Sequence, residues 1–265
     1  MALANLDKDN RGPSANYQQV KDMPVGQQLA KVFGYMLIGL GITTIVAVGV
    51  AALMYYVIFG NRTLEEVIAA FESGALDGAI IGYLVTFVVS LIGLLIMGFV
   101  LPITLRSDRV SAWPAFIIYS IFMGVMLSCF VLLVDLATLA EALGITLVSF
   151  ALMFLIGRFS KVNLNPLGLV ALGFLFVAVL ITIFFGLFAW LNPTAFRIWD
   201  LVFCIIVAGI MMIVTAVDAY NIKKILERGQ ASRNVLLFCA YTLYSDFIVI
   251  FVRVLLVLLK AKNRN

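Results

Sequence analysis

The chain has 265 residues, 64% of them hydrophobic and 12% charged, with a mean hydropathy of +1.13 and a formal net charge of +4. A soluble domain of this length cannot hide so much apolar surface, so the composition asks for lipid as solvent. Histidine is absent, which removes His-based catalysis, HExxH metalloprotease chemistry and haem ligation by His, and the small dispersed charge implies no nucleic-acid partner.

Residues 1–30 are polar and lack the apolar core of a signal peptide. They read as a flexible tail, with a short helix near Val25–Ala30. Seven apolar runs follow, at about 32–58, 79–104, 112–135, 139–157, 167–191, 198–220 and 234–259. Each approaches or exceeds the roughly 20 residues that cross a bilayer as a helix, and in lipid a helix satisfies its own backbone groups. The expected fold is therefore an all-α integral membrane protein of seven transmembrane helices. It forms one domain over residues 31–260, with a short basic tail at 261–265. The third and fourth runs are almost continuous, broken only near Asp135 and Glu141. Asn163, Asn165 and Pro166 mark the next turn, and Asn192 with Pro193 the one after.

Charge sets the orientation. Segments on the N-terminal side carry Lys8, Arg11, Lys21, Lys31, Arg106, Arg109, Arg158, Lys161, Lys223, Lys224, Arg228 and Arg233. The opposite loops carry only Arg62 and Arg197, with seven acids: Glu65, Glu66, Glu72, Asp77, Asp135, Glu141 and Asp200. The N-terminus is expected to be cytoplasmic. A bacterial plasma membrane is favoured over an intracellular eukaryotic one, because no retention signal ends the chain. An odd span count places the C-terminus outside, against Lys260, Lys262 and Arg264. Either the last helix is unusual, re-entrant or surrounded by protein, or one span is misplaced.

Two acids fall where ionisable groups are costly. Asp218 lies near the cytoplasmic end of the sixth run, in IVTAVDAYNI, and Asp246 midway along the seventh, in YTLYSDFIVIF. An ionisable residue at mid-membrane costs about 2.5–3.5 kcal/mol on insertion scales, which makes it a functional candidate. Thr215, Asp218 and Asn221 recur at three-residue steps, and Cys239, Thr242, Asp246 and Arg253 at three-, four- and seven-residue steps, giving two polar stripes. These face each other or a water-filled cavity. The plainer alternative is a buried hydrogen-bonded pair that only sets helix register. Arg106, at the end of the second run, can reach inward to a carboxylate or serve as an ordinary basic anchor. Arg109 is the weaker competitor for that role, and Arg253 is expected to snorkel outward.

Cys129, Cys204 and Cys239 lie in separate apolar runs and read as small core residues, not a disulfide framework. Ser120, Gly124 and Ser128 form a small-residue stripe that permits close helix approach, and Gly39 and Gly41 suggest the same in the first run. Met123, Met126, Met211 and Met212 read as core filler.

LYSDFIVIF around Asp246 is similar to the LYxDFINLF of the Bax inhibitor-1 family, also called the transmembrane Bax inhibitor motif family. VDAYNIKKI around Asp218 resembles its YDxxxI segment, with FGYMLIGLGITTIVA and IYSIFMGVMLS as weaker support; the resemblance covers roughly residues 25–259. It implies six helices wrapped round a central C-terminal seventh and a pH-sensitive calcium leak, with restraint of cell death in eukaryotes. It also implies two membrane aspartates as the pH sensor, matching Asp218 and Asp246, bridged by a basic residue at the position of Arg106. The family's Asn three residues after the last-span aspartate is Val249 here. Its Arg ten residues after is Leu256, and the Tyr common before the first aspartate is Val217.

Two carboxylates in low dielectric titrate as a coupled pair. The expected mechanism is a latch: Arg106 holds the ionised pair, and protonation frees the passage. No cofactor and no enzymatic activity are expected; the partners are the bilayer, protons and calcium, with protein partners left unspecified. Asp218 and Asp246, supported by Thr215, Thr242 and carbonyls, supply hard oxygen ligands for weak, transient calcium. Asn221 completes the polar set. Three other readings compete. An intramembrane aspartyl protease lacks support from a GxGD pattern, since Leu243, Tyr244 and Ser245 precede Asp246. A proton-coupled solute transporter would use the same acids, and a non-conducting regulator would act through protein partners.

Overall fold

The computed structural model describes residues 23–58, 60, 65–66, 74, 77–106, 111–187, 193–228 and 232–262. Seven long helices run through them: α1 (Val25–Ile58), α2 (Asp77–Arg106), α3 (Trp113–Leu133), α4 (Leu136–Phe159), α5 (Asn165–Leu187), α6 (Pro193–Glu227) and α7 (Arg233–Lys262). All seven are long and apolar enough to cross a membrane, and no strand occurs among the described residues. Broad apolar faces remain exposed, among them Ile45, Phe99, Leu169 and Phe174, as expected of a surface solvated by lipid.

The helix ends follow local chemistry. Pro166 and Pro193 sit in the first turns of α5 and α6, where a missing N–H breaks no helical bond. Val25–Ala30 is not a separate short helix. It runs unbroken into α1, because no proline or polar turn intervenes before the apolar run. Residues 1–22 of the expected tail and 263–265 of the basic tail lie outside the described residues. The sixth helix continues seven residues beyond the expected end at 220, through a segment whose Ile222 and Leu226 are buried.

The join between the third and fourth spans is tight. Asp135 caps α4, its carboxylate accepting from the Thr138 N–H at 3.0 Å and from the Thr138 hydroxyl at 2.9 Å. Lys262 at the end of α7 pairs with it at 3.2 Å, and Lys260 pairs with Asp200 at 2.6 Å. Two acids of the loops opposite the N-terminal side thus pair with the C-terminal lysines. The Thr138 amide and hydroxyl, with Lys262, hold the Asp135 carboxyl down to about 2. That stabilisation is complete above the ordinary carboxylate range and fades as pH falls toward about 2. Asp135→Ala is expected to lower the thermal midpoint in detergent, and to flatten its acid dependence. Asp135→Asn should keep the cap yet flatten that dependence equally. A midpoint in Asp135→Asn that falls with acid as steeply as the wild type would contradict this.

α7 packs against α6, α1, α4 and α2, and it is buried from Leu236 to Leu255 along most of its length. Its aromatic rings meet α3 and α4 edge-on: Tyr244 lies 5.7 Å from Phe116, Tyr241 lies 5.2 Å from Tyr119, and Phe247 lies 5.6 Å from Phe150. Thr43 of α1 donates to the Ser120 carbonyl of α3 at 3.0 Å, so the Tyr244 hydroxyl, 2.6 Å away, donates to Thr43. Three helices are pinned by this one buried network.

Small residues set the closest approaches. A Cβ at Gly124 would lie 2.7 Å from the Thr43 carbonyl oxygen, and Ser120 and Ser128 beside it are fully buried, so the stripe on α3 does bring α1 close. Gly39 is closed by Phe116 and Tyr244, whereas Gly41 faces open space and plays no such part.

Candidate functional site

α6 and α7 are antiparallel neighbours joined by a short connection. Asp218 lies ten residues before Arg228 and Asp246 fourteen residues after Ser232. At 1.5 Å per residue these are roughly 15 and 21 Å along the helices from the turn. The two side chains are near enough across the α6–α7 interface to act on each other electrostatically.

The two aspartates have different surroundings. Asp246 is 5% exposed, and Thr215, fully buried on α6, lies against it. The Thr215 hydroxyl donates to the Met211 carbonyl at 2.9 Å, which leaves it satisfied within its own helix. One Asp246 oxygen, Oδ2, is buried with no hydrogen-bond partner among the described residues. Asp218 is half-buried and lines a cavity of about 420 Å³. Asn221, Cys239 and Thr242 share that wall, and Asn165, Lys224 and Arg228 place its mouth at the end where α4 joins α5 and α6 joins α7. Lys224 sits 4.4 Å above the Tyr220 ring. Asp218 is thus the member of the pair in reach of water, and Asp246 the member sealed behind it.

The expected polar stripes are therefore brought together, and they divide the labour. Asp218, Asn221, Thr242 and Cys239 face the cavity, while Thr215 and Asp246 form its dry backing. Arg106 ends α2 at the same end of the helices as the cavity mouth, but its side chain, like all of Arg109, lies outside the described residues. Arg253 does not simply snorkel outward; its guanidinium stacks over Phe203 of α6 at 5.3 Å, because the ring offers a cation a face within reach. Among the described residues no group of three or more Cys, Asp or Glu side chains is placed to hold a metal ion. Any cation meeting this pair would be held weakly.

Residues 25–264 match the family described as inhibitor of apoptosis-promoting Bax1. The chain belongs to the Bax inhibitor-1 family. No match was found among curated proteins.

For this Bax inhibitor-1 family member, sequence reasoning missed three features of the site. Asn165 reads in sequence as a turn marker yet also lines the cavity mouth. Lys224 and Arg228 read as orientation charges yet form its rim. Gly157 gives no signal at all, being one glycine in a long apolar run. In the fold it lies on the backbone of Ala216, two residues before Asp218. Contacts across helices of this kind have no local signature.

Proposed function

We propose that the protein is a pH-sensitive calcium leak pathway of the membrane, with its N-terminus cytoplasmic and a bacterial plasma membrane as its setting. The closeness of the Asp218 and Asp246 carboxyls, beneath a cavity open at one end, carries this reading. Two carboxyls this near each other titrate as a coupled pair, so the pair changes charge as one unit when pH changes. Arg106, at the same end, latches the ionised pair and closes the mouth; protonation weakens its hold and opens the passage. Asp218 with Thr242 and Asn221 gives calcium a few hard oxygen ligands, enough for transit and too few for retention. The large excess of Lys and Arg on the side of the mouth supports its being cytoplasmic.

Purified protein in liposomes tests this at two pH values on either side of neutrality. Calcium flux is expected to rise on acidification, and Asp218→Asn and Asp246→Asn are each expected to abolish the rise. Unchanged pH dependence in both variants would defeat the latch. No flux from pure protein would favour a regulator acting through partners, and solute accumulation driven by an imposed pH gradient would favour a transporter.

A further inference from the structure

A second cavity lies in the half of the bundle away from the mouth beside Asp218. α3 and α4 are joined at Asp135, yet α3 packs chiefly on α1 and α2, and α4 on α6 and α7. The two helices leave a groove of about 330 Å³ between them, with α1 as its third wall. Phe130, near the end of α3, and Leu143, in the first turns of α4, face it from either side. Its floor is the middle of α7, at Phe247, Ile248 and Phe251. Phe247 is 5% exposed and Ile248 4%, so a lipid chain running over the outer surface of the bundle does not reach them.

The chemistry of the walls selects the occupant. Thr43 and Thr44 are the two polar side chains among the described residues that line the groove. Both hydroxyls already donate to backbone carbonyls, Thr43 to Ser120 at 3.0 Å and Thr44 to Leu40 at 2.8 Å. A trapped water needs about two to four polar partners, whereas apolar cavities stay dry and take up hydrocarbon. No charged or amide group lines the groove to hold a polar headgroup. The walls also continue into the lipid-facing surface: Val48, Leu136 and Leu143 line the groove and are exposed. At about 30 Å³ for a water-sized group, the volume takes roughly eleven such groups, a good part of one acyl chain.

We propose that an acyl chain of a bilayer lipid, from the leaflet opposite the mouth, inserts between α3 and α4 and lies against the floor of α7. The headgroup stays at the membrane surface, and only hydrocarbon enters. The chain becomes part of the packing around Phe247, the residue next to Asp246. Insertion needs only the seven spans and the groove, and does not depend on the leak reading.

The full-length protein in nanodiscs of a phosphatidylcholine with a diazirine midway along one acyl chain tests this. After irradiation, peptide mass spectrometry reads which residues carry the lipid. Adducts are expected at residues 247–251 of α7 as well as on lipid-facing residues such as Phe174. Thr44→Phe and Ala140→Phe each place a ring in the groove. Each is expected to cut the α7 adduct about fivefold or more relative to the Phe174 adduct, because the ring takes the volume the chain would fill. Both positions are exposed, and Thr44 gives up only a bond within its own helix, so a monodisperse size-exclusion peak is expected of both variants. Ile45→Phe, on the lipid side of α1, should change nothing. The wild-type pattern alone decides whether α7 is reached: a labelled Phe174 with an unlabelled α7 would overturn the insertion. So would α7 labelling that both rings leave unchanged, since the chain would then arrive by another route.

Discussion

Gly157→Ala is expected to destabilise the protein by about 1–3 kcal/mol, the range for overfilling a packed interior, and Gly157→Leu to prevent folding. The reason is backbone, not side chain. A Cβ at residue 157 would run into the Ala216 carbonyl oxygen and come within 2.8 Å of both the Ala216 carbonyl carbon and the Ala219 Cβ. None of these atoms can rotate away, so α4 would have to move off α6. Ala216 lies two residues before Asp218, and any shift of α6 there also shifts the carboxyl that acts on Asp246. Gly144 supplies the control on the same helix. It is exposed, with nothing within 4 Å of an added Cβ, so Gly144→Ala gains about 0.5–1 kcal/mol from helix propensity alone. Thermal unfolding in detergent, followed by size-exclusion profile or thiol-reactive dye, reads both. If the two substitutions shift the midpoint alike, the close contact between α4 and α6 is wrong.

That contrast also shows where sequence reasoning stops. The seven spans were legible because lipid imposes one solution on a long apolar run, and Asp218 and Asp246 were legible because a carboxyl in such a run is costly. Their proximity could be expected from their places on consecutive helices. Helix ends were less legible where apolar residues continue past the bilayer, as at Ile222 and Leu226, or where a cap hides between two apolar runs, as at Asp135. Lys260 and Lys262 read as free charges until Asp200 and Asp135, 60 and 127 residues away, were placed beside them. Gly157 and Gly41 were beyond reach in opposite directions. What a glycine does depends on what stands across from it, and the sequence of one helix says nothing of the next. Gly124 was legible only because two serines one turn away on either side made a pattern.

Asp246→Leu is expected to leave the protein as stable as the wild type or to raise its stability by about 1–3 kcal/mol, the cost of one buried group without a partner. Asp246 is 5% exposed and its Oδ2 accepts nothing among the described residues. Leucine branches at the same carbon and fills much the same space with methyl groups, among neighbours such as Phe247, Leu243 and Ile250 that are buried and apolar. In return Asp218 loses its interaction with the Asp246 side chain. Thr215 keeps its bond to the Met211 carbonyl, and Asp218 keeps its access to the cavity. Asp246→Asn gives no such gain, since an amide leaves polar atoms in the same dry place. Asp218→Leu gives none either, because Asp218 is half-buried and already solvated on one side. The predicted order of thermal midpoints is therefore Asp246→Leu above Asp246→Asn, with Asp246→Leu devoid of pH-dependent flux. A midpoint for Asp246→Leu below that of Asp246→Asn would mean that Asp246 holds the helices together, and its place would then be structural. The opposite order means that the fold tolerates a destabilising carboxyl at its centre, which is expected where a charge that comes and goes is the working part.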